Sequence, residues 1–184
     1  MKKIKELVDI RFGVNGKATN EGAIPYIQGK DFNGLGQFKN KEIFLTKKDA
    51  ITEKDLLKKD DILFTGKGSR NYAVVWNGEI SEAVASSTFY ILTLKVKDIL
   101  PEFLAWYLNS DRVQSFLRKV AKGATISNIP KNELQGLSVN LPSIEEQHKI
   151  VEVDKLRLKE QILMRQLAKN RDMLVRKLLS NKIK

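Results

Sequence analysis

Four apolar runs within the first hundred residues predict β-strands. Their side chains are mainly β-branched or aromatic, which suits the half-buried surface of a pleated sheet. The runs cover residues 24–27, 61–64, 72–76 and 88–94. Asn77 and Gly78 follow the third run directly, and this pair is typical of a tight turn.

Helical patterns lie between and after these runs. Thr52, with Asp55 three residues later, is a variant capping box and predicts a short helix. Pro101 is tolerated in a first turn and predicts a helix over residues 102–108, and a further helix over residues 111–122 ends where a glycine follows. Because strands and helices do not alternate regularly, a Rossmann arrangement is disfavoured. We predict a mixed α/β domain, of the α+β class.

The last forty residues predict one long helix. Ser143 and Glu146 form a Ser-x-x-Glu capping box, and residues 144–182 contain neither Gly nor Pro. At 1.5 Å per residue this helix is about 60 Å long. Leucines at three- and four-residue spacing form an apolar stripe, and we select Leu156, Leu163, Leu167, Leu174 and Leu178 as dimerisation residues. The stripe needs either a helix from another chain, as in a coiled coil, or contact with its own domain.

Composition changes abruptly at Pro142. Every Gly, Pro, Trp, Tyr and Phe lies at or before this residue. We therefore predict two domains, one over residues 1–142 and a long helix over residues 143–184.

Charge limits the kinds of partner. The chain has 33 Lys and Arg against 22 Asp and Glu, a formal net charge of +11, and both predicted domains are basic. A surplus of this size favours a polyanionic partner, either nucleic acid or an acidic membrane surface, although some soluble proteins are simply basic.

Several kinds of site are excluded by composition. The chain has no Cys and a single His, so disulfides, thiolate metal sites and multi-histidine metal sites are ruled out. We expect no catalytic residues, no metal and no cofactor, and we interpret His148 as a surface residue. The first residues lack the apolar core of a signal peptide and no apolar run spans a bilayer, which predicts a cytoplasmic protein without a membrane partner.

Two polar loops offer chemistry suited to nucleic acids. Residues 66–69 contain two glycines and a lysine but do not match the phosphate-loop pattern, because Gly68 follows Lys67. Residues 67–72 combine two cations, a hydroxyl and an amide, which are the groups that contact phosphates and base edges. A second polar loop covers residues 122–128. The alternative interpretation of residues 67–72 is a plain hairpin loop.

The sequence resembles the specificity subunits of type I restriction–modification systems. The most specific segment is Leu141-Pro142-Ser143-Ile144-Glu145-Glu146-Gln147, followed by Lys149-Ile150-Val151. It resembles the family's junction between a target-recognition domain and a spacer helix. The other matching segments are residues 24–31, 59–69, 101–108, 123–126, 129–130 and 134.

The resemblance implies a recognition domain that reads part of a bipartite DNA site and a helix that docks partner subunits. The implied partners are double-stranded DNA, the methyltransferase (modification) subunits and, through them, the restriction subunit, which hold the catalytic activities. The family's usual chain resembles two such copies in tandem, whereas this sequence has one and looks like a half-subunit, either natural or truncated. The expected DNA-binding residues are Lys30, Lys67, Ser69, Arg70, Asn71, Tyr72, Lys122, Thr125 and Asn128.

We therefore expect a non-enzymatic DNA-reading protein that acts as a homodimer through its antiparallel long helices. A two-fold axis would require an interrupted palindrome, with half-sites roughly 10–15 base pairs apart. The alternatives are an interaction protein that scaffolds or inhibits a partner complex through its helix, and a small nuclease with an unrecognised site.

Overall fold

The structure, a computed structural model, describes residues 1–33, 36–39, 45–46, 51–68, 71–121 and 128–182, without the side chains of residues 45 and 182. The backbone divides into two units, Met1–His148 and Lys149–Lys184. The predicted boundary after residue 142 stays a prediction.

Nine short strands and five helices follow one another along the described chain. The strands are β1 (Lys2–Lys3), β2 (Val8–Phe12), β3 (Ile24–Ile27), β4 (Leu45–Thr46), β5 (Ile62–Thr65), β6 (Ala73–Val75), β7 (Val84–Ala85), β8 (Phe89–Leu94) and β9 (Ser138–Val139). The helices are α1 (Ile4–Leu7), α2 (Pro101–Asn109), α3 (Asp111–Ala121), α4 (Lys131–Gly136) and α5 (Ile144–Lys182).

The strands form three small sheets. An antiparallel sheet has the order β2-β8-β5-β6, and a second has the order β4-β3-β7, in which β3 and β7 run parallel. Strands β1 and β9 pair near the two ends of the first unit. Within the described residues a buried cluster lies between the first two sheets and includes Phe32, Leu63, Trp76, Phe89 and Ile91. This arrangement confirms the mixed α+β domain followed by a long helix.

The longer predicted elements agree closely with the structure. Strand β3 has the predicted bounds, β5 and β6 differ from prediction by one residue at each end, and β8 differs by one residue at its start. Helix α5 covers residues 144–182 of the long helix predicted over residues 143–184. The Ser143 capping box is confirmed, because the Ser143 amide donates to Glu146 Oε2 at 3.0 Å and the Glu146 amide donates to Ser143 Oγ at 3.2 Å.

Two local predictions need correction. Thr52 and Asp55 cap only a single 3₁₀ turn, Glu53–Asp55, because Leu56 is already extended and bridges to Val84. Strand β2 was not predicted, although it alternates apolar and polar residues; it pairs with β8 along its whole length.

Gln147, near the start of α5, lies within the first unit and bonds three backbone groups there. Gln147 is fully buried: its Oε1 accepts from the Leu100 amide at 2.9 Å, and its Nε2 donates at 3.0 Å each to the carbonyls of Asp98 and Pro142. Three backbone groups thus depend on this side chain.

No helix among the described residues is both long and apolar enough to cross a membrane.

Candidate nucleic-acid interface

The first polar loop connects β5 to β6 and is closed by hydrogen bonds around Thr65. The Thr65 amide donates to the Tyr72 carbonyl at 2.9 Å, and the Tyr72 amide donates to Thr65 Oγ1 at 2.8 Å. Asn71 Nδ2 donates to the Thr65 carbonyl at 2.8 Å, so this amide holds the loop closed. Lys67 is exposed, as a phosphate contact requires. Ser69 and Arg70 lie outside the described residues.

Asn128, the last residue of the second polar loop, lies against the first loop. Lys67 and Asn128 form an isolated antiparallel β-bridge, and the Ile129 amide donates to the Gly66 carbonyl at 2.8 Å. Asn128 is exposed beside Lys67, although sixty residues lie between the two along the chain. Lys122 and Thr125, which were predicted on this loop, lie outside the described residues. The structure therefore joins the two loops, which the sequence places far apart.

Tyr90 contacts both paired segments, at Gly66 and at Ile129. A Cβ atom at Gly66 would lie 2.2 Å from Tyr90 Cε2, so only glycine lets the backbone lie against the ring. The Tyr90 hydroxyl donates to the Ile129 carbonyl at 2.7 Å. Burial raises the pKa of Tyr90 above its ordinary value, which further favours the neutral hydroxyl that donates this bond.

Lys30 approaches the same region from a third segment. It lies exposed in the 3₁₀ turn Gly29–Asp31, and the Tyr72 hydroxyl donates to the Gly29 carbonyl at 2.7 Å. The turn is closed by the Gln28 amide, which donates to Asp31 Oδ2 at 2.7 Å. Burial raises the pKa of Asp31, although this bond opposes the shift.

Two further side chains lie beside the paired loops and were not predicted. The Phe12 ring is 54% exposed and lies 5.0 Å from the Tyr90 ring. Lys131 Nζ lies 5.6 Å from the centre of the Phe12 ring and donates to the Ile10 carbonyl at 2.8 Å. The alternating pattern of β2 was the one sequence signal for Phe12, and no sequence pattern singled out Lys131.

The chemistry of this surface is cationic and polar. Lys30, Lys67 and Asn128 are exposed on three segments that hydrogen bonds connect, and such groups bind phosphate and base edges. In the parts of the chain that the structure describes, no group of three or more His, Asp or Glu residues is placed to hold a metal ion.

The predicted dimerisation residues all lie on α5. Each side chain of this set is more than half exposed: Leu156, Leu163, Leu167, Leu174 and Leu178. Exposed leucines at helical spacing over several turns form a face that another apolar surface can cover.

Residues 1–162 match the family described as the type I restriction modification DNA specificity domain. Because this match covers most of the sequence, the chain belongs to that family, which confirms the resemblance seen in the sequence.

Individual relatives agree with the family. The HindI specificity subunit of a type I restriction enzyme from Haemophilus influenzae (strain ATCC 51907 / DSM 11121 / KW20 / Rd) is 30% identical over 118 residues, which cover 59% of this chain and 26% of that subunit. The chain thus spans about a quarter of the length of this curated relative.

Solved structures share the fold. One solved structure is described as the structural basis of complex assembly and conformational transition of the type I R-M system. It matches with a TM-score of 0.67 and 23% identity, covering 95% of this chain and 42% of that one. The HsdS subunit from Thermoanaerobacter tengcongensis matches with a TM-score of 0.59 and 20% identity over 88% and 37%. The S subunit from M. genitalium matches with a TM-score of 0.58 and 21% identity over 84% and 37%.

Proposed function

We propose that this chain is a DNA-reading specificity component of a type I restriction–modification system. It recognises part of a bipartite target and directs modification and restriction subunits to it, and it supplies recognition while those subunits supply catalysis. The observation that carries the proposal is the pairing of Lys67 with Asn128, which joins two polar loops on a basic domain of a DNA-specificity family. We also propose that it acts in the cytoplasm.

The joined loops suit a duplex because they combine the two kinds of group that recognition needs. An exposed lysine supplies charge for a phosphate, and an exposed asparagine can donate to and accept from a base edge such as adenine. The hydrogen bonds through Tyr90 and Tyr72 hold these groups in place, which limits the ordering entropy lost on binding.

Binding to a duplex selected from a random pool tests this function. Replacing Lys67 by alanine should weaken all duplexes alike and reduce the salt slope by about one unit. Replacing Asn128 or Arg70 by alanine should cost about 1–3 kcal/mol on the selected duplex and relax its sequence preference.

The matched control is Lys97→Ala. Lys97 is exposed, and it follows the end of β8 that is remote from Gly66. This variant should bind as the wild type does. A chain that does not bind duplex DNA with a steep salt dependence would contradict the proposal and favour a scaffold acting through its helix. Divalent-dependent cleavage by the isolated chain would instead indicate a nuclease.

We further propose that two copies pair through α5 and that methyltransferase subunits bind the resulting complex. The exposed leucine stripe supports pairing, because an apolar face of this length is unfavourable in water. Identical readers related by a two-fold axis would then recognise an interrupted palindrome.

Light scattering with DNA binding tests the assembly. Leu163→Lys with Leu167→Lys should give monomers that lose most affinity for the bipartite target, because the paired helices would bury two lysines. Gln166→Lys adds a cation at an exposed polar position and should stay dimeric. A wild-type chain that is monomeric at high concentration, or a target without two-fold symmetry, would overturn the homodimer.

A further inference from the structure

We propose that α3 carries a second DNA-contacting surface that flanks the joined loops. We define this α3 face as Arg112, Ser115, Phe116 and Lys119, and we infer that it binds the phosphate backbone of the same duplex. The inference rests on the proposed DNA-reading function, and it concerns residues outside the two polar loops.

Hydrogen bonds place the start of α3 next to the first loop. Asn109 Oδ1 accepts from the Ala73 amide at 2.8 Å, and Asn109 Nδ2 donates to the Ala73 carbonyl at 2.7 Å. Ala73 directly follows Tyr72, the last residue of the loop, and α3 begins at Asp111, two residues after Asn109. The first turn of α3 is thereby held close to the loop that carries Lys67.

The other end of α3 leads back to the same loop. The helix ends at Ala121, and seven residues further along the chain Asn128 forms its bridge with Lys67. Both ends of α3 are therefore attached, directly or through a short connection, to the candidate interface.

Packing determines which face of α3 points to solvent. Val113, Leu117 and Ala121 are buried at four-residue spacing, so this stripe faces the domain. The α3 face has the spacing i, i+3, i+4, i+7 on the opposite side, and all four residues are exposed, Phe116 by 42%. Arg112 and Lys119 lie two turns apart, about 10.5 Å along the axis, which corresponds to roughly three base steps of a duplex strand.

The positive charge of the α3 face favours a polyanion as its binding partner. In the portion of the chain that the structure describes, neither Arg112 nor Lys119 forms a salt bridge. The acidic residue of α3, Asp111, is exposed at the first position of the helix, and among the described residues it forms no salt bridge with either cation. Two cations without acidic partners, on a domain with a surplus of basic residues, are complementary to phosphates. The Phe116 ring between them offers an apolar contact to sugar edges.

Measuring salt dependence on specific and non-specific duplexes tests the inference. Arg112→Gln with Lys119→Gln should lower the salt slope by about two units, because each phosphate contact contributes about 0.9. The ratio of wild-type affinity to variant affinity should therefore be about 60-fold larger at 0.1 M salt than near 1 M salt. The loss should be the same on both duplexes, since phosphate contacts carry no sequence information.

The control removes the same charge elsewhere. Lys5→Gln with Lys97→Gln also lowers the net charge by two at exposed lysines, and it should change the slope by much less than one unit. Unchanged thermal melting of both double variants would show that the fold is intact.

The outcomes separate the inference from the proposed function. If the Arg112/Lys119 variant binds DNA as the wild type does while Lys67→Ala is impaired, the α3 face is not a DNA surface and the proposed function survives. If that variant keeps DNA binding but loses association with modification subunits, the face docks protein and the inference is wrong. If the wild type does not bind duplex DNA, the proposed function and the inference both fail.

Discussion

Replacing Gly66 by alanine should separate the two loops of the candidate interface. The added Cβ would lie 2.2 Å from Tyr90 Cε2 and 2.6 Å from Cδ2, whereas ordinary contact begins at 3.4 Å. The ring or the loop backbone must therefore move by more than 1 Å. Tyr90 is only 4% exposed and stacks at 6.5 Å on Phe64, so the ring has little room.

The cost has two parts. Overpacking a filled core site typically destabilises by about 1–3 kcal/mol. Displacing the ring also breaks the bond from the Tyr90 hydroxyl to the Ile129 carbonyl, which adds about 1 kcal/mol because Ile129 is buried. We expect Gly66→Ala to lower the free energy of unfolding by about 2–4 kcal/mol, which for a chain of this size lowers Tm by roughly 5–15 °C. Affinity for DNA should also fall, because Lys67 is displaced from Asn128.

Thermal and urea unfolding with a double-mutant cycle check this reasoning. Gly136→Ala is the matched control, since a Cβ there meets nothing within 4 Å and alanine favours the end of α4 by about 0.5–1 kcal/mol. In a Tyr90→Ala background the new methyl group has space, so Gly66→Ala should cost much less. Equal costs in the two backgrounds, or a Gly66→Ala variant as stable as the wild type, would refute the contact.

Three further predictions concern groups that support the fold. Arg11→Ala should lower the free energy of unfolding, measured by urea titration, by about 3–5 kcal/mol. The substitution leaves the carboxylate of Asp61, which is 1% exposed, without the guanidinium that lies 2.9 Å away. A loss below about 1 kcal/mol would contradict this. Hydrogen bonds from the backbone and side chain of Thr52 lower the pKa of Asp55. The wild type should therefore be more stable than Asp55→Asn above about pH 4, and this advantage should disappear as the pH falls through the lowered pKa. An advantage that grows in acid would contradict this. Gln147→Leu should lower the free energy of unfolding by about 2–4 kcal/mol, because three backbone groups lose their hydrogen-bond partner. Hydrogen exchange at the Leu100 amide should become faster. Unchanged exchange would mean that solvent replaces the side chain.

Long elements were predictable because their signals are local. The capping residues Ser143 and Glu146 define the start of α5, the absence of Gly and Pro after them indicates its length, and the apolar runs identify β3, β5, β6 and β8. Strands β1, β4, β7 and β9 have two residues each, too few to show a period, so only their pairing partners identify them. The family resemblance could also be identified from the sequence alone, because it rests on short motifs and on their order along the chain.

The candidate interface required the tertiary structure. Sequence indicated that residues 67–72 and 122–128 carry groups suited to DNA, but no local pattern shows that Lys67 pairs with Asn128, that Asn71 closes its own loop, or that Tyr72 reaches the turn with Lys30. The position of α3 beside the first loop likewise depends on the hydrogen bonds between Asn109 and Ala73, which no local pattern predicts. Side-chain type and helical period are encoded within a few neighbouring residues. Which distant segments meet is decided by burial of the whole apolar set at once, and that is a property of the folded chain.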